Sequence, residues 1–455
     1  MKLPQDFERM MDTQLGSEEA KSLCHALSET ESPTSIRINK NKIDKYEDDA
    51  NIESAVPWCE DGLYLKSRPS FTFDPLLHAG CYYVQEASSM YLSHILKTYL
   101  EDQPIVALDM CAAPGGKSTL TLSQLPEGSL LIANEVMRQR AQVLAENICK
   151  WGSPNTIVTS NYAEDFAAMG ETFSLIICDV PCSGEGMFRK DQGAIDDWSL
   201  ENVDTCWRRQ RDIVQNLWQC LRPGGLLVYS TCTFNSLEDE ENVNWIAKEL
   251  GGEILPLKDN PEWHITNGHF FPHKTKGEGF FIAAIRKIAD EDSSFSENAE
   301  KKKKNKKNNS KSKPIIVPKE IKGWIENADK FTFLADNDTY TAFPSQHIEL
   351  YQRVRENLKV ISAGIELATV KGKNLQPSHS LALSTQLKKD TIPTVELTLE
   401  DAIAYLRTEA IQVDAPKGYV LLTYHNHPIG FGKNIGNRVN NLYPSEWRIR
   451  SGYAH

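Results

Sequence analysis

Nowhere in this 455-residue chain do about 18 apolar residues follow one another, as a membrane-spanning helix requires. The opening residues, Met1-Lys2-Leu3-Pro4-Gln5-Asp6-Phe7, lack the apolar core of a secretory signal, so the expected location is the cytoplasm. No C-x-x-C pair occurs and no Cys/His block has zinc-like spacing, so no metal site is expected. The ten cysteines end at Cys232 and are too scattered for a disulfide scaffold. They read as reduced thiols, most of them small buried apolar side chains. Net positive charge is also lacking. A formal charge of −12 argues mildly against a nucleic-acid partner, although the distribution of charge matters more than its sum. No internal repeat is visible.

The remaining pattern divides the chain. Residues 1–30 read as polar helix, with Leu23 and Leu27 spaced for one face, and Ser35–Asn39 alternates like a strand. The stretch from about 86 to 100 reads as a helix leading into the next unit. From about residue 104, apolar runs at 105–110, 130–134, 156–159, 173–179 and 226–230 alternate with helical stretches near 117–125, 138–151, 203–221 and 239–250. That alternation predicts a doubly wound, mostly parallel α/β sheet, with last strands at 253–257 and 279–286. Residues 289–313 break the pattern with a run of lysines from Lys301 to Lys307, a tether by composition and a candidate attractor of phosphates. Beyond it, 399–407 reads as a helix capped by Thr398, and 418–424 as a strand. The predicted division is 1–95 as a small α+β domain, 96–288 as the catalytic domain, 289–316 as linker, and 317–455 as a further region. A β-rich unit ends that region over about 395–455.

Three segments carry chemistry. Asp109-Met110-Cys111-Ala112-Ala113-Pro114-Gly115-Gly116-Lys117-Ser118 follows the first strand of the sheet and opens a helix. Its small residues let backbone approach a ligand, and the helix start offers free N–H groups. The loop is neither a dinucleotide fingerprint nor a P-loop. Glu135, 26 residues after Asp109, ends the second strand, where an acid suits a pair of ribose hydroxyls. A helix cap is its bland alternative. Asp179-Val180-Pro181-Cys182-Ser183-Gly184 and Ser230-Thr231-Cys232-Thr233-Phe234 end the fourth and fifth strands, where ligands bind in open α/β sheets. Two thiols are thus expected to face one substrate. A thiolate adding to C6 of cytosine makes C5 nucleophilic, which is covalent catalysis. An acid such as Asp179 is placed to hold the N3/N4 edge of the ring. Cys111, Cys149 and Cys178 read as structural thiols.

Together, the segments 109–118, 179–184 and 230–234 resemble the Sun/Nop family of RNA cytosine-C5 methyltransferases. The resemblance implies a Rossmann-like class I methyltransferase sheet and S-adenosyl-L-methionine as cofactor. It implies Cys232 as nucleophile, Cys182 as the cysteine that helps product release, and Lys117 near the reacting groups. It also places Cys111–Ser118, Glu135, Arg140 and Asp179 around the cofactor. Relatives carry an acid after the third strand; here the matching place falls near Asn161 or Ala163, and Asn161 is the candidate adenine contact. Ser35–Asn39 and Gly80-Cys81-Tyr82-Tyr83-Val84-Gln85-Glu86 are similar to family segments ahead of the catalytic domain. Pro428-Ile429-Gly430-Phe431-Gly432-Lys433 with Tyr443-Pro444 looks like the PUA-like, RNA-binding end of RsmF-type 16S ribosomal RNA methyltransferases.

The expected partner is therefore ribosomal RNA of the small subunit, met by a chain that acts as a monomer without membrane or metal. Met187, Phe188, Arg189 and Lys190 are expected at the RNA entrance. Trp207, Arg208, Arg209 and Arg211 have a weaker claim to contact. Lys433, Arg438, Arg448 and Arg450 are expected on an RNA-facing C-terminal surface. Two rival readings stay open at this point: a tRNA methyltransferase with the same chemistry, and a non-catalytic ribosome-assembly protein. The intact cysteines and Lys117 argue against the second.

Overall fold

A computed structural model describes residues 2–288, 317–372 and 374–450. The predicted linker, 289–316, with its lysine run, lies outside the described residues. Two helices, Gln5–Leu15 and Ser17–Glu29, open the chain. A small sheet follows, from β1 (Thr34–Ile38), β2 (Ile52–Val56), β3 (Cys59–Leu65) and β4 (Tyr82–Val84), in the order β2-β3-β1-β4. The stretch predicted as a helix from about 86 is a 3-10 turn at Ser88–Tyr91, with the α-helix only over Leu92–Tyr99.

The central sheet has nine strands: β5 (Val106–Asp109), β6 (Leu130–Asn134), β7 (Thr156–Thr159), β8 (Phe173–Asp179), β9 (Leu221–Thr231), β10 (Gly252–Leu255), β11 (His269–Phe270), β12 (Phe280–Lys287) and β15 (Val360–Ala363). The pairs β6–β7, β5–β6, β5–β8 and β8–β9 are parallel, whereas β9–β12, β12–β10 and β7–β15 are antiparallel. Consecutive residues of β5 feed opposite cores, Leu108 with Ile132 and Ile176 on one face, Ala107 with Leu131 and Leu175 on the other. Burial on both faces explains why these strands read as unbroken apolar runs. The chain turns from one side of β5 to the other, which makes its carboxyl end the switch point where ligands bind.

Downstream, β13 (Phe331–Asp336), β14 (Thr339–Pro344), β16 (Ile365–Lys371) and β17 (Asn374–Pro377) form an antiparallel sheet. A last sheet holds β18 (Thr394–Glu396), β19 (Gly418–Tyr424), β20 (His427–Asn434) and β21 (Val439–Asn441). Thr398 caps the helix Leu399–Leu406 by accepting from the Asp401 N–H, as the sequence predicts. Two arrangements differ from the expected division. β15, inside the region 317–455, is an edge strand of the central sheet. The last sheet also shares one core with the first: Ile36, Ile38 and Tyr82 pack with Leu397, Tyr405, Val420, Ile429 and Tyr443. Neither pairing has a local signal, because both join segments hundreds of residues apart.

Arg37 locks the N-terminal unit onto the catalytic domain. It is 1% exposed; its Nε donates to Gln85 Oε1 at 2.8 Å and one terminal nitrogen to Thr119 Oγ1 at 2.7 Å. Its guanidinium lies 4.5 Å from the centre of the Trp151 ring. Burial pushes its pKa down to about 10, still charged at neutral pH. Asn39 adds hydrogen bonds to the carbonyls of Gly80 and Trp151. Replacing Arg37 by alanine leaves Gln85 and Thr119 short of a buried donor. Denaturant unfolding followed by tryptophan fluorescence should show a loss of about 2–4 kcal/mol; a loss below about 0.5 kcal/mol would mean that the clamp carries no stability.

Candidate active site

The segment Asp109–Ser118 leaves β5 and enters the helix Gly116–Gln124. Gly115 takes φ +117°, a conformation side chains resist, just before the helix. Three side chains hold the loop by its carbonyl oxygens: Arg140 donates to Ala113 O at 3.0 Å, Asn147 to Pro114 O at 2.8 Å and Arg37 to Gly116 O at 3.3 Å. The first N–H groups of the helix have no partner within it. Asp109 is fully buried; Ser118 donates to its Oδ2 at 2.6 Å, while Oδ1 has no partner. Burial pushes the Asp109 carboxyl up to about 7, against the hydrogen bond from Ser118. An unpartnered buried carboxylate oxygen at a strand end fits a ligand that brings an ammonium group, and the methionyl end of S-adenosylmethionine is such a group.

Glu135 follows β6. Its Oε1 accepts from the Met137 N–H at 3.0 Å and its Oε2 lies 3.4 Å from Arg140. The Glu135 carboxylate is thus held on both oxygens, just ahead of the helix Arg138–Trp151. Val136, Met137 and Tyr162 beside it are 41%, 56% and 63% exposed, apolar walls that a flat base would cover. Asn161, 8% exposed, follows β7; its Oδ1 accepts from the Lys359 N–H at 3.0 Å. Cys111 is a neutral thiol, because burial and then neighbouring acidic groups push its pKa well up.

The reacting groups meet at the ends of β8 and β9. Cys182 Sγ and Cys232 Sγ lie 3.2 Å apart as free thiols, and the Cys232 N–H points to Cys182 Sγ at 3.4 Å. Asp179 Oδ2 pairs with Lys117 Nζ at 2.8 Å, and its Oδ1 accepts from Ser230 Oγ at 2.7 Å. Burial works against the Lys117 ammonium, but the charge and hydrogen bond of Asp179 outweigh it and push its pKa up. The hydrogen bond to Cys232 and then burial push the Cys182 thiol well above its usual range. The four residues predicted for chemistry, Cys232, Cys182, Asp179 and Lys117, are thus one cluster.

Behind them lies a layer that sequence reasoning left unassigned. Glu185, fully buried, accepts from the Phe234 N–H at 2.7 Å and from Asn235 Nδ2 at 3.0 Å. Glu238, also fully buried, accepts from the Ser183 N–H at 3.0 Å, Asn235 Nδ2 at 2.8 Å and Gln210 Nε2 at 2.6 Å. Burial raises both carboxyl pKa values. The segment Glu238-Asp239-Glu240 therefore splits: Glu238 ties the two cysteine loops, Asp239 accepts from Thr231 Oγ1, and Glu240 pairs with His269. The signal was an acid three residues beyond Cys182 and another six beyond Cys232, polar groups in segments that must be buried.

Part of the expected RNA entrance is internal. Phe188 is fully buried against Phe7, 5.2 Å between ring centres, and the Arg189 side chain is 4% exposed beside Glu278 and bonded to Gly277 O. The two opening helices cover this segment, which withdraws Phe188 and Arg189 from solvent. Met187 and Lys190 remain exposed. Arg208 pairs with Asp204, and Arg211 lies between Trp207 and Trp245 with Nε on Asn242 Oδ1. At the far end, Arg438, Arg448 and Arg450 are exposed and Lys433 lies over Tyr419. No helix among the described residues is long and apolar enough to cross a membrane, and none of their His, Cys, Asp and Glu side chains form a metal-holding group.

Three segments of the chain match known families. Residues 3–87 match the N-terminal domain of 16S rRNA methyltransferase RsmF, 95–286 match 16S rRNA methyltransferase RsmB/F, and 392–449 match the methyltransferase RsmF PUA domain. Among solved structures, NSun6 from Pyrococcus horikoshii with SFG superposes with a TM-score of 0.55 at 21% identity, over 63% of this chain and 99% of that one, a likeness of fold. A methyltransferase homologue from the same organism gives 0.52 at 27% identity, over 63% and 100%. Among curated relatives, ribosomal RNA small subunit methyltransferase F of Aliivibrio salmonicida is 32% identical over 92% of this chain and 91% of its own length. That of Salmonella agona is 31% identical over 92% and 90%. With all three matched segments in order and both cysteines at the ends of neighbouring strands, this chain belongs to the ribosomal RNA small subunit methyltransferase F family.

Proposed function

We propose that this protein methylates C5 of a cytosine in 16S ribosomal RNA, with Cys232 as the covalent nucleophile and S-adenosylmethionine as methyl donor. The observation that carries the reading is the pair of free thiols 3.2 Å apart, beside the Lys117–Asp179 ion pair, at the ligand-binding end of the sheet. The names of the relatives point to small-subunit RNA, and the NSun6 structure carries SFG, an S-adenosylmethionine analogue.

The cofactor is held by the 111–118 loop, Asp109, Glu135 with Arg140, the apolar walls at Val136, Met137 and Tyr162, and the Asn161 turn. When bound, it supplies the electrophilic methyl group that C5 receives. Cys232, once its S–H proton has passed to solvent, adds through Sγ to C6 and makes C5 electron-rich. The Asp179 carboxylate accepts from the exocyclic amino group of the ring. Lys117, charged and fixed by Asp179, offsets negative charge at the sulfur and around the ring. Release breaks the Sγ–C6 bond as a base takes the C5 proton, and the electron pair returns to sulfur. Cys182 assists this departure: its thiol keeps its proton and stands within reach to hand it to the leaving sulfur. The exposed C-terminal cations Arg438, Arg448 and Arg450 are assigned to RNA phosphates. Action as a monomer in the cytoplasm belongs to the same proposal.

The reading is tested by transfer of radiolabelled methyl from S-adenosylmethionine to 30S subunits, naked 16S RNA and bulk tRNA, followed by bisulfite mapping. Label on a ribosomal cytosine is the expected result, and label on tRNA alone would overturn the substrate. Cys232→Ala should remove methylation, by at least about 10³-fold, while calorimetry shows S-adenosylhomocysteine still bound; near-normal turnover would exclude Cys232 as nucleophile. Cys182→Ala should stall after transfer, and a protein–RNA adduct should survive denaturing gel electrophoresis where wild type leaves none. A third expectation concerns Asp109: proton and ligand ammonium compete for its carboxylate. S-adenosylhomocysteine affinity should therefore fall as the pH drops through about 7, and Asp109→Asn should flatten that dependence.

A further inference from the structure

The central sheet gains its last strand from outside residues 95–286, the span that matches 16S rRNA methyltransferase RsmB/F. β15 lies in 317–391, which none of the three matched segments covers. It pairs with β7, with Val360 opposite Thr159, so residue 359 sits where β7 runs out into the Ser160–Tyr162 turn. Three hydrogen bonds join the two. Ser160 N–H donates to Lys359 O at 3.0 Å, Lys359 N–H donates to Asn161 Oδ1 at 3.0 Å, and Asn161 Nδ2 donates to Lys359 O at 3.4 Å.

The tie continues inward. Asn134, fully buried at the end of β6, donates to Met110 O at 3.1 Å and to Asn161 O at 3.0 Å, and its Oδ1 accepts from the Asn161 N–H at 3.0 Å. Ser160 Oγ donates to Val136 O at 3.3 Å. The turns after β5, β6 and β7 are therefore linked in one row, and Lys359 closes its outer end. The helix Ile348–Asn357 anchors that end: Val354 and Leu358 are buried in the core of the central sheet, and Arg353 donates to Thr172 Oγ1 at 2.6 Å.

We infer that the backbone of Lys359, through Asn161, completes the nucleoside end of the cofactor pocket, so that the region 317–391 sets affinity for the methyl donor. The inference rests on the cofactor reading given above. Asn161 is here a positioning residue: its side-chain oxygen faces Lys359, and its work is to hold the Ser160–Tyr162 turn against Glu135 and Val136. The methionyl end, at Asp109 and Gly115, lies at the far end of this row and is joined to it through the hydrogen bond from Asn134 to Met110 O. Loosening the turn should weaken binding without changing the chemistry.

The test uses the full chain and S-adenosylhomocysteine in a calorimeter. Asn161→Ala should weaken binding roughly tenfold, about the effect of one buried hydrogen bond. The Michaelis constant for S-adenosylmethionine should rise by a similar factor, with kcat at saturation within about twofold. Asn161→Asp, which keeps an acceptor for the Lys359 N–H, should recover most of the affinity. Lys359→Pro, which removes that N–H, should match Asn161→Ala. Hydrogen exchange of the wild type covers the case in which a variant fails to fold. Coupling is reciprocal, so the ligand should slow exchange of the Lys359 amide. Unchanged affinity in a folded Asn161→Ala, or unchanged exchange at Lys359 on ligand binding, overturns the inference. Absence of binding by wild type would instead overturn the cofactor reading on which it rests.

Discussion

Two loops that leave neighbouring parallel strands must keep their sulfur atoms 3.2 Å apart, and polar groups with no access to water do the holding. Glu185 grips the backbone after Cys232, Glu238 grips the backbone after Cys182, and Asn235 donates to both carboxylates. Each group is costly to bury alone and satisfied only when all are in place. The layer therefore has few alternative arrangements, and it holds the two thiols in one fixed geometry. The Lys117–Asp179 pair is held in the same way: Asp179 is fixed by Ser230 and Lys117 together.

The sequence was most legible where chemistry and chain order coincide. Five runs of apolar residues became the five parallel strands, because burial on both faces leaves an unmistakable pattern. The segments 109–118, 179–184 and 230–234 each sit at a strand end, so reading the strands also brought these three segments to one end of the sheet. Other features were invisible for a physical reason. Arg37 reads as one charged residue in a strand, and only packing shows that its charge is spent on Gln85, Thr119 and Trp151. Arg189 reads as a residue of the RNA entrance; its partner, Glu278, lies 89 residues away, a separation along which no periodicity operates. β15 pairs with β7 across some two hundred residues, and a strand of four residues carries too little pattern to announce where it will dock.

The exposed surface completes an argument begun by net charge. A chain at −12 spends many of its cations internally: Arg37, Lys42, Lys117 and Arg189 all bind protein carbonyls or carboxylates. Near the C-terminal sheet, Arg438, Arg448 and Arg450 face solvent instead.

The first and last sheets share a core, and that has a consequence for biosynthesis. Ile36, Ile38 and Tyr82 are covered by Leu397, Val420, Ile429 and Tyr443. A ribosome makes the first set well over three hundred residues before the last of the second set. At the pace of translation, roughly 5–20 residues per second, the apolar face of the opening sheet waits on the order of tens of seconds for its cover. During that interval the nascent chain presents a surface that chaperones recognise, and the finished fold is sealed only when its far end returns to its beginning.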